Sequence, residues 1–325
     1  MRQSPDIDLT ARALASSSLN HGLSILGDRW TVQVVMGMFL GLRRFEQWQQ
    51  QLSIPRHTLS TRLRALTRLD LLRPRAYQSN PPRNEYHGTA KSMAMFPQVL
   101  MMWVWEQRWG SNKPELPDSL RHRLCNHAFT PILACGACHA DADITAMSVR
   151  FEPVSALLHD QPPQRGSPRL MRDKRIDHRA DRWSLLIIAA VVLGCHHFDQ
   201  ITGVLGIGST TLTRRLASMT RAGLLKDLPD RTDGRRRVYT LTASSRDLLG
   251  YIVCLSDWTG RVHLGQPSSI LPIHECGHVF RPKVVCSHCR KALFAWDVQP
   301  EYREASVAAD HERAEAAGQH PEHVE

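Results

Sequence analysis

The sequence repeats itself at a fixed offset, and this constraint outweighs any local motif. At a displacement of 153 residues, Asp28-Arg29-Trp30 recurs as Asp181-Arg182-Trp183, Leu40-Gly41 as Leu193-Gly194, Phe45 as Phe198, Gln47 as Gln200 and Ile54 as Ile207. The register holds through Leu59, Leu63, Leu71 and Leu72, which match Leu212, Leu216, Leu224 and Leu225. It also holds through Tyr86, Thr89 and Trp105, which match Tyr239, Thr242 and Trp258. A cysteine-rich segment follows each copy at an offset of 151, so the repeated unit is a domain plus an appendage. A chain of 325 residues, 42% of them hydrophobic, is long enough to bury two cores. The expected organisation is a first domain over 15–112 with its Cys/His segment over 120–150, and a second domain over 173–262 with its segment over 272–300. A linker over 151–172, carrying Pro153, Pro162, Pro163 and Pro168, is expected between them, and a flexible Ala/Glu/His-rich tail over 301–325 after them.

In the first copy the pattern predicts an apolar helix from Gly22 to Met38 closed by Gly41. A second helix carries Phe45, Trp48 and Leu52, a turn falls at Ser53-Ile54-Pro55, and a third helix runs through Leu59, Leu63 and Leu66. Opposite those leucines stand Arg56, His57, Ser60, Thr61 and Arg64, side chains that can bond base edges or phosphates. This is helix-turn-helix anatomy. A basic stretch containing Arg75, then Arg83 and a return strand through Tyr86, predicts a β-hairpin wing, and a last helix is expected from Ala90 to Trp109. The second copy places Ser209, Thr210, Thr213 and Arg214 on the corresponding helix. Its wing turns at Asp233-Gly234 and carries Arg235, Arg236 and Arg237 beside Arg231. The fold class that follows is mainly α with small β wings: two winged helix-turn-helix domains, each trailed by a small zinc-ribbon-like segment.

The charge supports a polyanionic partner. Lys and Arg number 41 against 31 acidic residues, for a formal charge of +10. The longest apolar stretch, Trp183 to Cys195, is too short to span a bilayer and reads as a buried helix. The first residues lack an apolar signal region, so a cytoplasmic, non-membrane protein is expected. There is no nucleophile elbow, P-loop or dinucleotide glycine fingerprint, so an enzyme is not expected.

The appended segments share the pattern Cys-x-His-x-Phe-x-Pro-x3-Cys-x2-Cys. Cys125, His127, Cys135 and Cys138 in the first, and Cys276, His278, Cys286 and Cys289 in the second, form two candidate Cys3His sets for structural zinc. Two other readings stay open: a redox Cys-x2-Cys pair, and thiols that hold no metal while Phe129, Pro131, Phe280 and Pro282 pack. His122, His139, His274 and His288 lie nearby, but His122 and His274 are spaced differently from the cysteines that follow them and stand outside the shared set. Cys195 and Cys254, within apolar helices, are expected to be inert core residues. Trp103, Trp105, Trp109 and Trp258 are expected to pack a helix interface.

Gly27-Asp28-Arg29-Trp30, Leu42-Arg43-Arg44-Phe45, the Leu59-to-Leu66 helix and Pro81-Pro82-Arg83-Asn84-Glu85-Tyr86 together resemble the HxlR-type winged helix-turn-helix regulators. The second copy is similar but looser, with His196-His197-Phe198 at the Arg-Arg-Phe position. The resemblance implies double-stranded DNA as partner, an effector the sequence does not name, and a homodimer-like arrangement. The chain would then be a fused pair, a pseudo-dimeric monomer or a homodimer, on a bipartite operator. The resemblance also implies a sensing cysteine near the first helix, a position that falls on Ser17 and Leu170, neither of them a thiol. The other functional class is a protein-binding adaptor in which one or both winged helices have lost DNA binding. The second copy is the suspect, because the turn Gly206-Ile207-Gly208 costs chain entropy and Ala217 replaces Arg64.

Overall fold

The computed structural model describes residues 5–110, 116–152, 177–178 and 181–302, so most of the expected linker and nearly all of the expected tail lie outside the described residues. The chain is mainly helical with small antiparallel strands. In the first copy, helices α1 (Ile7–Ala15), α2 (Ser18–Leu26), α3 (Arg29–Phe39), α4 (Phe45–Leu52) and α5 (Arg56–Arg68) precede a hairpin of β1 (Leu72–Gln78) and β2 (Arg83–Gly88). Helices α6 (Ala90–Met93) and α7 (Phe96–Trp109) then close the domain. The single helix expected over Gly22 to Met38 is two, because Asp28 takes an extended backbone. Its carboxylate accepts from the backbone N–H groups of Trp30 and Thr31 at 3.1 Å, starting a new helix. The helix expected from Ala90 to Trp109 is likewise divided at Ala94-Met95.

The second copy repeats the plan as α8 (Arg182–Val192), α9 (Phe198–Leu205), α10 (Ser209–Arg221), β7 (Leu225–Pro229), β8 (Arg237–Leu241), α11 (Ala243–Asp247) and α12 (Leu249–Trp258). The shared residues do the same work in both copies. Gly41 and Gly194 end α3 and α8 at φ +92° and +96°. The Gln47 side-chain oxygen accepts from the backbone of Arg43 and Arg44, and that of Gln200 from His196 and His197, all at 2.8–3.0 Å. Asp181, like Asp28, caps its helix, accepting from the Ser184 N–H at 2.9 Å. The same aspartates pair with arginines of the third helices: Arg62 with Asp28 at 3.3 Å and Arg215 with Asp181 at 2.9 Å.

The two copies form one continuous hydrophobic core. Helices α7 and α12, equivalent in the repeat, pack on each other, and α1 of the first copy packs on α9 of the second. The seam is reciprocal. The Trp105 indole donates to the Ser244 carbonyl at 2.8 Å, and its counterpart Trp258 donates to the carbonyl of Lys91, the counterpart of Ser244, at 2.9 Å. Such an exchange is the signature of an isologous, two-fold contact. The expectation that the tryptophans pack a helix interface is met by Trp105 and Trp258, both buried, whereas Trp103 is buried against its own copy, donating to the Pro117 carbonyl at 3.0 Å, and Trp109 is exposed, donating to Asp247 at 2.6 Å.

The appended segments interleave across the same axis. β5 (Pro131–Cys135) pairs antiparallel with β10 (Pro282–Cys286), in a register that sets Pro131 opposite Cys286, Leu133 opposite Val284 and Cys135 opposite Pro282. β3 (Ser119–His122) pairs with β4 (His127–Phe129) of its own copy and with β11 (Val298–Glu301) of the other. β6 (Ser148–Phe151) pairs with β9 (Ile270–Ile273). The segments are therefore one intertwined unit rather than two separate ribbons.

The packing encloses two ionisable groups, Arg215 fully and His263 in part. In the pair of the second copy Arg215 is only 3% exposed and Asp181 18%, whereas Arg62 and Asp28 are 25% and 35% exposed. Arg215→Ala should therefore cost about 3 kcal/mol, and Arg62→Ala under about 1 kcal/mol. Urea midpoints at unchanged slope give the order, and equal losses would contradict it. His263 stacks on Trp258 and faces His21. Burial, then the positive charge of Lys91, then His21 hold its pKa down at about 4 against the ordinary 6.5. Below pH 6.5 the unfolded chain binds a proton that the folded chain refuses, so stability should fall as pH drops from 6.5 towards 4. Comparing His263→Gln with the wild type across that interval should show a shallower decline in the variant.

Candidate nucleic-acid interface and metal clusters

Each third helix turns one face inward and the other outward. In α5, Leu59, Leu63 and Leu66 are buried, and Arg56, His57, Thr61 and Arg64 are exposed with Ser60 half-buried. In α10, Leu212, Leu216 and Met219 are buried, and Ser209, Thr210, Thr213 and Arg214 are exposed. The polar faces expected from the sequence thus stand in solvent in both copies. Arg56 lies over the Phe45 ring at 5.3 Å, while the Thr61 hydroxyl donates to the His57 carbonyl at 2.9 Å and Arg64 Nε to the Ser60 carbonyl at 3.3 Å. In the turn before α10 the first glycine has a conformational reason, while Gly208 sits at an ordinary extended φ of −62°. Gly206 holds φ +58°, matching Ser53 at φ +48° in the first copy, so glycine occupies the residue that needs the left-handed conformation. Ile207, like Ile54, is buried.

The wings differ in free charge. Arg75 and Arg83 are exposed on the first hairpin. On the second, Arg236 is held by both carboxylate oxygens of Asp199 at 2.9 Å and Arg237 by Asp227 at 2.6 Å. Asp227 raises the pKa of Arg237 above its ordinary value through that hydrogen bond. Arg235 sits at the turn, where its backbone N–H donates to Asp233 at 3.0 Å, and its side chain is exposed.

The cysteines gather in a way that crosses the copies. His122, Cys125, Cys286 and Cys289 form one cluster and Cys135, Cys138, His274 and Cys276 the other, with the donor atoms of each within 4.8 Å of one another. In the first, Cys125 Sγ lies 3.4 Å from His122 Nδ1 and 3.9 Å from Cys286 Sγ, and Cys289 Sγ lies 3.2 Å from His122 Nδ1. In the second, Cys135 and Cys276 sulfurs are 4.0 Å apart, and His274 Nδ1 is 3.5 Å from Cys138 Sγ and 3.3 Å from Cys276 Sγ. Both clusters can hold a metal ion. The sets expected from spacing alone are not the ones brought together: all six cysteines take part, but His122 and His274 replace His127 and His278. The latter pair instead face backbone carbonyls, His127 Nδ1 that of Cys125 at 2.5 Å and His278 Nδ1 that of Cys276 at 3.2 Å. His127 also stacks on His288 at 3.6 Å and joins Cys125 and His288 in a third, more exposed group. A usable signal was present, since each copy has a histidine shortly before its first cysteine. The gap is one residue longer in the first copy, and a fixed-spacing pattern discards it.

Comparison with known proteins agrees with this geometry. The HxlR-like helix-turn-helix family model matches residues 25–114 and again 180–266. An uncharacterized HTH-type transcriptional regulator of Mycobacterium tuberculosis is 36% identical over 146 residues, which are 45% of this chain and 90% of that protein. Another from Mycobacterium bovis is 35% identical over the same length and shares. The chain belongs to the HxlR-like helix-turn-helix family. It is a transcriptional regulator of HxlR type that carries the family's domain twice, and that family membership makes DNA its partner. No helix among the described residues is long and apolar enough to cross a membrane.

At the position where the HxlR resemblance implies a sensing cysteine, Ser17 is buried and serves as the N-cap of α2, its hydroxyl accepting from the Asn20 N–H at 3.1 Å. Leu170 lies outside the described residues. The two cysteines outside the clusters are both buried. Burial raises the Cys195 thiol to about 11 and pushes Cys254 up as well, with the Asp257 charge adding to it. Since the thiolate is the reactive form, both should be silent. Brief iodoacetamide treatment of the native protein at pH 8, followed by peptide mass mapping, should leave Cys195 and Cys254 unmodified until denaturant is added. Labelling of either in the folded protein would contradict the inert core role and make it a candidate sensor.

Proposed function

We propose that the two winged helices of this HxlR-type regulator bind one duplex together, the chain acting as an intramolecular pseudo-dimer on a bipartite operator. The observation that carries this is the reciprocal Trp105 and Trp258 seam, which relates two domains whose third helices both expose polar faces. The activity is binding and regulation rather than catalysis. Arg56, His57, Ser60, Thr61 and Arg64 read base edges in one half-site, and Ser209, Thr210, Thr213 and Arg214 read them in the other. The two sets differ, so the operator is an imperfect palindrome, with half-site centres roughly 34 to 36 Å apart. Arg75, Arg83 and Arg235 contact phosphates or the minor groove, whereas Arg236 and Arg237 must first exchange Asp199 and Asp227 for the nucleic acid. Zinc is the ion of both Cys/His clusters: three thiolates and one imidazole fill a tetrahedral shell and leave no position for substrate, so its role is structural.

Footprinting on operator DNA recovered by genome-wide mapping tests this reading. Two protected segments of unlike sequence, about one helical turn apart, are expected. Arg64→Ala should weaken binding by about 1–3 kcal/mol with relaxed preference in one half-site only, while Arg235→Ala should lower the salt slope by about one. Protection of a single segment would instead favour an adaptor role for the other copy. Affinity independent of salt would remove DNA as the partner.

A further inference from the structure

We propose that each zinc site is completed across the two copies, so that the two ions clasp the first half of the chain to the second. This rests on zinc being the resident ion, as read above, and adds which residues share each ion. One ion takes His122 and Cys125 from the first copy and Cys286 and Cys289 from the second. The other takes Cys135 and Cys138 from the first and His274 and Cys276 from the second.

The strand register causes the exchange. β5 and β10 run antiparallel about Leu133 and Val284, so each strand delivers the Cys-x2-Cys turn at its end to the start of the other. Waiting there is the His and Cys pair that precedes the other copy's strand. The separations suit a common ion: with bonds of about 2.3 Å to sulfur and 2.0–2.1 Å to nitrogen, tetrahedral geometry puts sulfurs about 3.8 Å apart and sulfur about 3.6 Å from nitrogen. The observed sulfur pairs are 3.9 and 4.0 Å apart and the sulfur to Nδ1 distances 3.2 to 3.5 Å. His122, Cys135 and Cys286 are fully buried, and neutral thiols would give each imidazole only weak hydrogen-bonding partners. The turns are shaped alike: Asn126 and Gly277 take φ +56° and +80° after the first cysteine, and His139 and Arg290 take φ +64° and +60° after the last. His127 and His278, bonded to the carbonyls of Cys125 and Cys276, position a ligand rather than act as one.

Zinc counting in paired variants of the full chain tests the sharing. Wild type should carry about two ions after exhaustive dialysis against a chelator, and a site that has lost even one of its thiolates should be emptied by that treatment. Cys125→Ser with Cys289→Ser lie in one proposed site, so this double variant should keep about one ion per chain; Cys125→Ser with Cys138→Ser lie in different sites and should lose nearly both. If each segment held its own ion the two results would be reversed, and that reversal overturns the proposal. As a second measurement in variants that retain four donors, cobalt(II) replaces zinc and its absorption is read. His122→Cys should convert one of the two sites from three sulfurs and a nitrogen to four sulfurs, and His127→Cys should change neither. The opposite pattern overturns the proposal, as does a wild type that takes up neither zinc nor cobalt(II). DNA shifts on the same preparations separate the two readings, because failure to bind DNA with the predicted metal counts removes the operator model and leaves the clasps intact.

Discussion

The antiparallel ladder between Pro131–Cys135 and Pro282–Cys286 is the constraint from which the arrangement of the two halves follows. A ladder symmetric about Leu133 and Val284 allows one relation only between the segments, a two-fold rotation. The reciprocal indole hydrogen bonds of Trp105 and Trp258 obey the same rotation in the helical layer. Two independent sets of contacts, one polar and backbone-based, the other largely apolar, therefore specify the same axis. Neither alone would do so as firmly: apolar helix packing tolerates sliding and rotation, whereas a strand slipped by one residue would turn its buried side chains outward and separate the cysteines. The fused chain thus has the internal symmetry that homodimers obtain from two molecules.

Within each half, a single aspartate links the core helix to the third helix, whose buried leucines fix which face it turns inward. Asp28 starts α3 by capping it and also reaches Arg62 of α5; Asp181 does the same for α8 and Arg215 of α10. The Asp-Arg-Trp triplet by which the repeat is recognised is therefore a junction between the helix that fills the core and the helix that faces solvent. The neighbouring Arg29 and Arg182 lie over the rings of Trp30 and Trp183 at 4.1 and 5.2 Å. In the second copy the junction is buried more deeply, and desolvation lowers the Arg215 pKa against the raising influence of Asp181. Moving α10 away from α8 would then strand a buried charge, a penalty larger than the one the more exposed Arg62 would incur in α5.

Much of this was legible in the sequence. Periodic leucines, the turn at Ser53-Ile54-Pro55, the Asp-Gly hairpin and the repeat itself report local backbone preferences and a buried face, which depend on neighbours a few residues away. The errors fall where the deciding contact is distant or concerns a single cap. Asp28 divides an otherwise uninterrupted apolar pattern because its carboxylate satisfies two backbone donors, a gain that hydrophobic periodicity does not register. The metal clusters differ from the sets that spacing predicts for the opposite reason: their cysteines are close in sequence, and proximity along the chain suggests that they close a site together. The strand exchange makes the nearer partners in space those some 150 residues away, as in the contacts of Cys125 with Cys286 and Cys135 with Cys276. The pairing of Arg236 and Arg237 with Asp199 and Asp227 was equally invisible, since run-length counting of arginines takes no account of carboxylates on a neighbouring helix or strand.

The two copies have kept their interior in common while their solvent faces differ, and the difference has a direction. The first wing presents Arg75 and Arg83 with Arg44 tied to Glu85, whereas the second neutralises two arginines of its tip internally. Arg64 is replaced by Ala217 on the exposed face of the third helix, and His57 by Thr210. The first copy therefore offers the stronger charge-assisted contacts, and the second more short hydroxyl groups, whose bonds depend on close approach. A covalent pair allows such specialisation without loss of geometry. In a homodimer any change on one recognition helix appears on both, but here the shared seam holds the second helix in place whatever its surface becomes. On the operator reading proposed above, placement of the second helix by Asp181, Arg215 and the exchanged strands would offset its weaker electrostatics, because a preorganised surface loses less conformational entropy on binding.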